Sequence, residues 1–133
     1  MKKSIVFFLI ALLCVALLAG VARAEDRRTR VITFLASGLR TAATAQSTGF
    51  EVSQYAEGNI FVNVTAEAGV STLDITIELS DDNTNYYTHT TIAQISATGQ
   101  YRQAINNYGK YIRIKYTVAG TSFTFAVTGV FKN

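Results

Sequence analysis

Along most of the chain apolar and polar residues alternate one for one, the period of a strand with one buried face. In "STLDITIELS", Leu73, Ile75, Ile77 and Leu79 share one face and Asp74, Thr76 and Glu78 the other. "KYIRIKYTV" sets Ile112, Ile114, Tyr116 and Val118 inward, with Arg113, Lys115 and Thr117 outward. "NIFVNVTAE" groups Ile60, Val62 and Val64, and "TSFTFAVTGVF" groups Phe123, Phe125 and Val127. "RVITFLA", "YYTHTTI" and "GQYRQAI" are weaker candidates, with the same bias toward residues that suit a pleated surface. The clusters "EAGVS", "SDDNTN", "SATGQ", "NNYGK" and "AGTS" read as turns between the runs.

No window beyond the first 24 residues holds a helical period long enough to form a helix. A sheet with one apolar face and no helix to cover it must meet a second sheet. The pattern therefore predicts an all-β fold over residues 31–133: a single antiparallel two-layer β-sandwich, jelly-roll-like. "SGLRTAATAQSTGFEVSQ" departs from the alternation, being rich in small residues until Phe50. It reads as an irregular edge strand or a long surface loop. An extended segment of this kind beside an open edge is also placed to pair with another subunit. The chain has 0 prolines, so no edge is protected by that device.

Residues 1–24 follow a different plan. Lys2 and Lys3 precede an apolar run from Ile5 to Leu18, and Ala22-Arg23-Ala24 closes the segment. This is the layout of a helical secretory signal peptide cleaved before Glu25. The apolar run of about 14 residues falls short of the roughly 20 that a spanning helix needs. Membrane contact is thus expected only through the signal, and the protein is expected outside the cytoplasm, as an extracellular, cell-surface or periplasmic chain. "EDRRTR" (residues 25–30) reads as a charged flexible arm.

Charge changes once the signal is set aside. The full chain has 12 Lys plus Arg against 9 Asp plus Glu, but Lys2, Lys3 and Arg23 belong to the leader. The remainder is balanced, which removes the basic excess that a nucleic-acid partner would call for. Cys14, the single cysteine, also lies in the leader, so thiol chemistry is absent from residues 25–133.

Candidate chemistry is sparse. There is one histidine, His89, no G-x-S-x-G and no phosphate-cradling glycine loop. A lone histidine is a poor start for zinc, and His89 reads as a half-exposed strand residue. Asp74 and Glu78 share a strand face about 13 Å apart, beyond the spacing that glycosidases use. No catalytic residue and no cofactor is assigned. Asp81, Asn83 and Asn85 match the opening of a calcium loop, D-x-[DN]-x-[DN]. Tyr86 then stands where the loop needs glycine and Ile92 where it needs glutamate, so an EF-hand is excluded and a weak calcium site is what remains. Asp and Asn also favour turns for their own local bonds. Tyr86, Tyr87, Tyr108, Tyr111 and Arg113 are the candidate contact residues for a partner or ligand, because aromatic groups near turns stack on sugars or fill pockets.

The stretch "FLASGLRTAATAQSTGFEVSQYAEGNIFVNVTAEAGVSTLDITIELSDDNTNYY" resembles the small β-sandwich modules of tailed-phage virion proteins, through "R-T-A-x-T", "V-T-A" and "T-L-D-x-x-I" before a hairpin and a tyrosine. "YGKYIRIKYTVAGTSFTFAVTGVF" is similar to the closing hairpin of those modules. "S-D-D" with the later "Y-I-R-I" is similar, over a shorter span, to discoidin-like carbohydrate-binding sandwiches. The first resemblance implies a structural, non-enzymatic role in a multimeric shell, tail or fibre; the signal peptide departs from that family. The expected function is a secreted structural or interaction protein that self-associates into a filament, layer or virion-like assembly. The alternative is a secreted carbohydrate-binding module that meets surface glycans through its tyrosines.

Overall fold

A computed structural model describes residues 28–133, and the segments expected to be a signal peptide and the start of a charged arm lie outside them. Seven strands follow one another: β1 (Thr29–Gln46), β2 (Phe50–Glu51), β3 (Glu57–Ala68), β4 (Thr72–Ser80), β5 (Tyr87–Ile95), β6 (Gly99–Asn106) and β7 (Tyr111–Lys132). The sheet path runs β5-β4-β7-β3-β6, and β1 and β2 pair with β7 off that path. All pairings are antiparallel.

The two ends of the path, β5 and β6, are joined by Ser96, Ala97 and Thr98 alone. Laid flat, five strands would hold those ends about 19 Å apart, whereas this linker spans at most about 14 Å. The sheet must curl. It does so by folding into two layers that share β1 and β7. One layer contains β5, β4 and the first half of β7; the other contains β6, β3 and the second half of β7. β1 follows β7 through both, as its first part pairs with residues 122–132 and its last part with residues 115–118. β2 continues the line of β1 after a jog at Ser47, whose N–H donates to Ile114 O at 2.8 Å and whose Oγ accepts from Ile114 N at 3.0 Å. The all-β sandwich expected from the alternation is the fold observed.

β7 corrects one expectation. "AGTS" is not a hairpin turn, because the strand runs unbroken from Tyr111 to Lys132. Ile112, Ile114 and Val118 are buried at even positions, and Phe123, Phe125, Val127 and Phe131 at odd ones. The change of parity marks the place where the strand bends from one layer into the other. Gly120 makes the bend, with φ of 94°, and a Cβ there would collide with Val70 O and lie 2.8 Å from Ser71 Cα. The β3–β4 turn is tied to the same corner: Ser71 Oγ donates to Ala68 O at 2.7 Å and accepts from Thr121 N at 2.8 Å.

The core between the layers is continuous and holds Ile60, Val62, Leu73, Ile75, Ile77, Ile112, Ile114, Phe123, Phe125, Val127 and Phe131. Phe131 anchors an aromatic end, with edge-on contacts from Phe34 at 6.3 Å and Tyr108 at 5.8 Å. Two further differences concern the edges. The Ala/Thr-rich stretch, left open between loop and strand, is strand as far as Gln46. β1 itself begins at Thr29, inside the stretch read as a flexible arm.

Candidate functional site

The residues singled out in the sequence gather at one end of the sandwich, where the β4–β5 turn meets the β1–β2 jog and the β6–β7 loop. The turn is built around Asp82. Its Oδ1 accepts from Thr84 N and Asn85 N, each at 2.8 Å, and from Ser80 Oγ at 2.9 Å. Its Oδ2 accepts from Asn85 Nδ2 at 2.7 Å. These donors favour the carboxylate over the carboxylic acid. Led by the Asn85 and Thr84 backbone N–H groups, they hold Asp82 well below the usual carboxylate range.

The calcium pattern is spent on this turn. Asn83 takes a left-handed backbone, φ 60°, and its Oδ1 accepts from the Tyr86 hydroxyl. The Asn85 amide is directed at Asp82, while Asp81 lies over Gly109 of the neighbouring loop. Asp81, Asn83 and Asn85 therefore serve three separate contacts. Among the described residues no group of three His, Cys, Asp or Glu side chains is placed to hold a metal ion.

Below the turn lies a stack that the alternation misread. Glu78, expected on the wet face, is only 7% exposed. Arg113 stands directly across from it on β7 and closes an ion pair, Nε to Oε2 at 2.6 Å. The Tyr86 ring covers the guanidinium at 3.8 Å from carbon to ring centroid. A carboxylate this buried needs such a partner, and Tyr86 then excludes water from the pair. Burial raises the Tyr86 hydroxyl above its ordinary value, while Arg113 pulls the other way. A side chain at Gly49 would strike both the Tyr86 hydroxyl and the Asn83 carboxamide, so the jog packs flush against the tip.

The contact candidates thus part company. Tyr86 and Arg113 are held within the stack. Tyr108 is a correction: its ring turns inward onto Phe131, and its hydroxyl is buried with no hydrogen-bond partner. Loss of water pushes the Tyr108 hydroxyl up to about 12, with Glu57 and Tyr55 adding to the effect. Tyr111 is half-buried beside Lys110, whose ammonium sits 5.3 Å from the ring centroid. Tyr87 alone of the five stands open, at 73% exposure. It walls a shallow depression of about 190 Å³ with Leu79, Ser80, Asp81 and Gly109. His89 is half-buried at a β-bulge, where β5 carries one residue more than β4.

A second feature is the free margin of β1, part of the Ala/Thr-rich stretch read as an edge strand or a loop. Among the described residues β1 pairs with β7 alone, so its other edge is open. Val31 and Leu39 project from this strand at 67% and 69% exposure. Arg40 closes the middle of the edge. Its Nη2 donates to Ala36 O at 2.8 Å, and its Nη1 to Gly38 O at 2.9 Å and Phe125 O at 2.7 Å. The guanidinium also lies 4.4 Å from the Phe125 ring centroid. These bonds satisfy carbonyls that the irregular register between Thr33 and Gly38 would leave bare. The sequence signal for this was slight: one cation in an Ala/Thr-rich stretch.

No protein-family model matches the chain, and no curated protein matches it in sequence. Solved structures do. The PBSX exported protein XepA aligns with a TM-score of 0.62 at 13% identity, over 77% of this chain and 36% of its own. The SPBc2 prophage-derived protein YomS aligns at 0.56 and 13%, over 82% and 96%. The subunit of the Bacillus endospore appendages, described as disulfide-linked pili, aligns at 0.53 and 9%, over 84% and 94%. The chain spans about a third of the length of XepA. At these identities the likeness is one of fold, and the fold is that of a β-rich phage-type module, as the sequence resemblance implied.

Proposed function

We propose that this chain is a non-catalytic structural subunit that is exported and associates with copies of itself in an extracellular or surface assembly. The observation that carries the reading is the open edge of β1, an 18-residue strand paired on one side only. Open edges are templates for pairing with another chain, and soluble proteins ordinarily blunt them. The fold neighbours support the reading, since they include an exported phage protein and a subunit of disulfide-linked pili. Residues 28–133 contain no cysteine, so copies built from them would be joined without disulfides. The balanced charge beyond the leader lowers repulsion between copies.

The test is size-exclusion chromatography with light scattering on residues 25–133, with calcium and with chelator, followed by negative-stain imaging. Concentration-dependent oligomers or filaments are expected. A strict monomer at high concentration under both conditions overturns the proposal.

A further inference from the structure

The second layer of the sandwich ends in two open edges. Its strand order is β6-β3-β7-β1, so β6 bounds one side and the first part of β1 the other. These edges differ in how they are finished. β5, which bounds the other layer, pairs with β4 through two register breaks, and bulges of this kind twist an edge away from a partner. β6 has none: it pairs with β3 without a break from Glu57↔Asn106 to Val64↔Gly99. It carries one charge, Arg102, and no proline. β6 is the regular edge.

On the opposite side, Arg40 seals β1 between Ala36 and Gly38 but leaves the beginning of the strand clear. Asn133 N donates to Arg28 O at 3.3 Å, next to the pair Thr29↔Lys132. In an antiparallel ladder the bonded residues alternate. Arg30 and Ile32 accordingly bond toward β7, and Thr29, Val31 and Thr33 turn their N–H and C=O groups outward. The outer face beside them is in register, as Val31 lies across from Val130 and Thr33 leads through Thr128 to Phe61.

We infer that the β1 edge of one copy, residues 29–33, pairs with the β6 edge of the next. The join makes β6-β3-β7-β1 of successive copies one continuous sheet. It is head-to-tail, so each copy that is added presents a fresh edge, and the assembly grows as an open filament instead of closing as a dimer. The inference rests on the self-association proposed above and specifies its seam.

Two variants test it. Val31→Pro removes an outward N–H and no internal bond, because that amide points away from β7; Val31→Lys with Thr33→Lys is the substitute if the proline variant does not fold. Gln100→Lys with Ala104→Lys adds cations to exposed positions of β6, a device that blocks edges. Light scattering on each folded variant alone is expected to show association weakened by at least about tenfold. An equal mixture is expected to form dimers that grow no further, because one partner retains an intact β6 and the other an intact β1. Loss of assembly from the β6 variant alone, with Val31→Pro unaffected, means a two-fold β6 join and overturns the inference. So does a mixture that stays monomeric. If the unaltered chain assembles and both variants assemble equally well, the seam is wrong and the self-association stands. If the unaltered chain is monomeric, both fall.

Discussion

The two ends of the sandwich carry turns of similar look in the sequence, "SDDNTN" and "AEAGVS", and they are held in opposite ways. The β4–β5 turn is self-contained: Asp82 gathers donors from Ser80, Thr84 and Asn85, all within three residues. The β3–β4 turn has little of its own. Val70 is 98% exposed, and the turn is fixed by Gly120 and Thr121, some fifty residues away in β7. A turn organised by its own side chains is a local matter. One organised by a distant backbone is part of the architecture, and damage there reaches both layers.

The strongest way to test this contrast is Gly120→Ala. The residue must keep a positive φ and its Cβ meets the backbone of Val70 and Ser71. The expected loss is about 3 kcal/mol or more, read by urea denaturation, with both layers melting together. A loss under about 1 kcal/mol would show that the corner relaxes and is not the joint described here.

Asp82→Asn addresses the other end. It should loosen the tip and lower Tm by well under half the Gly120→Ala effect, leaving the core unchanged. Asp82 has a depressed folded value, so its contribution is present above the ordinary carboxylate value of about 3.9 and is lost as pH falls through the folded one. Thermal melts between pH 2 and 6 should therefore show less acid sensitivity in the variant. Equal sensitivity in both proteins would remove Asp82 from the account.

The smallest effect is expected beneath the tip, at Tyr108→Phe. Deleting a buried hydroxyl that has no partner should leave stability unchanged or raise it by up to about 1 kcal/mol. The native tyrosine is raised to about 12, above the ordinary value of about 10. Its contribution is thus intact below pH 10 and lost as pH climbs through 12. Melts from pH 9 to 12 should show the variant losing less, and a destabilised variant at neutral pH would mean that the hydroxyl has a partner after all.

The same contrast explains what the sequence showed. Strand interiors were legible wherever the period of two was uninterrupted, as in Leu73-Ile75-Ile77 and Ile112-Ile114. It failed where the backbone bends or bulges. β5 buries Ile92 and Ile95, three apart, because its ladder is broken between Leu73 and Ile75 of β4. "AGTS" carries the residues of a turn, and only the parity change between Val118 and Phe123 marks it as a bend within one strand. Glu78 was misplaced because alternation names a face but does not count what covers it, here Arg113 and Tyr86. The tip was found by its Asp and Asn content, but the residue that organises it, Asp82, is the one outside the calcium pattern. The edge with Arg40 left no periodic trace, since a guanidinium bonding to carbonyls follows no spacing rule.

The central place of β7 also bears on how the chain reaches this state in time. β1, β2, β3 and β4 all take their ladder from a strand that is synthesised after every one of them. The β4–β5 hairpin and the β3–β6 pair can close earlier, yet the strand that bridges their two layers is missing until Tyr111–Lys132 arrives. Domains dominated by such distant pairings fold on the scale of milliseconds to seconds, far slower than hairpins do. The growing polypeptide can therefore complete its two-layer core only after Tyr111–Lys132 has joined the earlier strands.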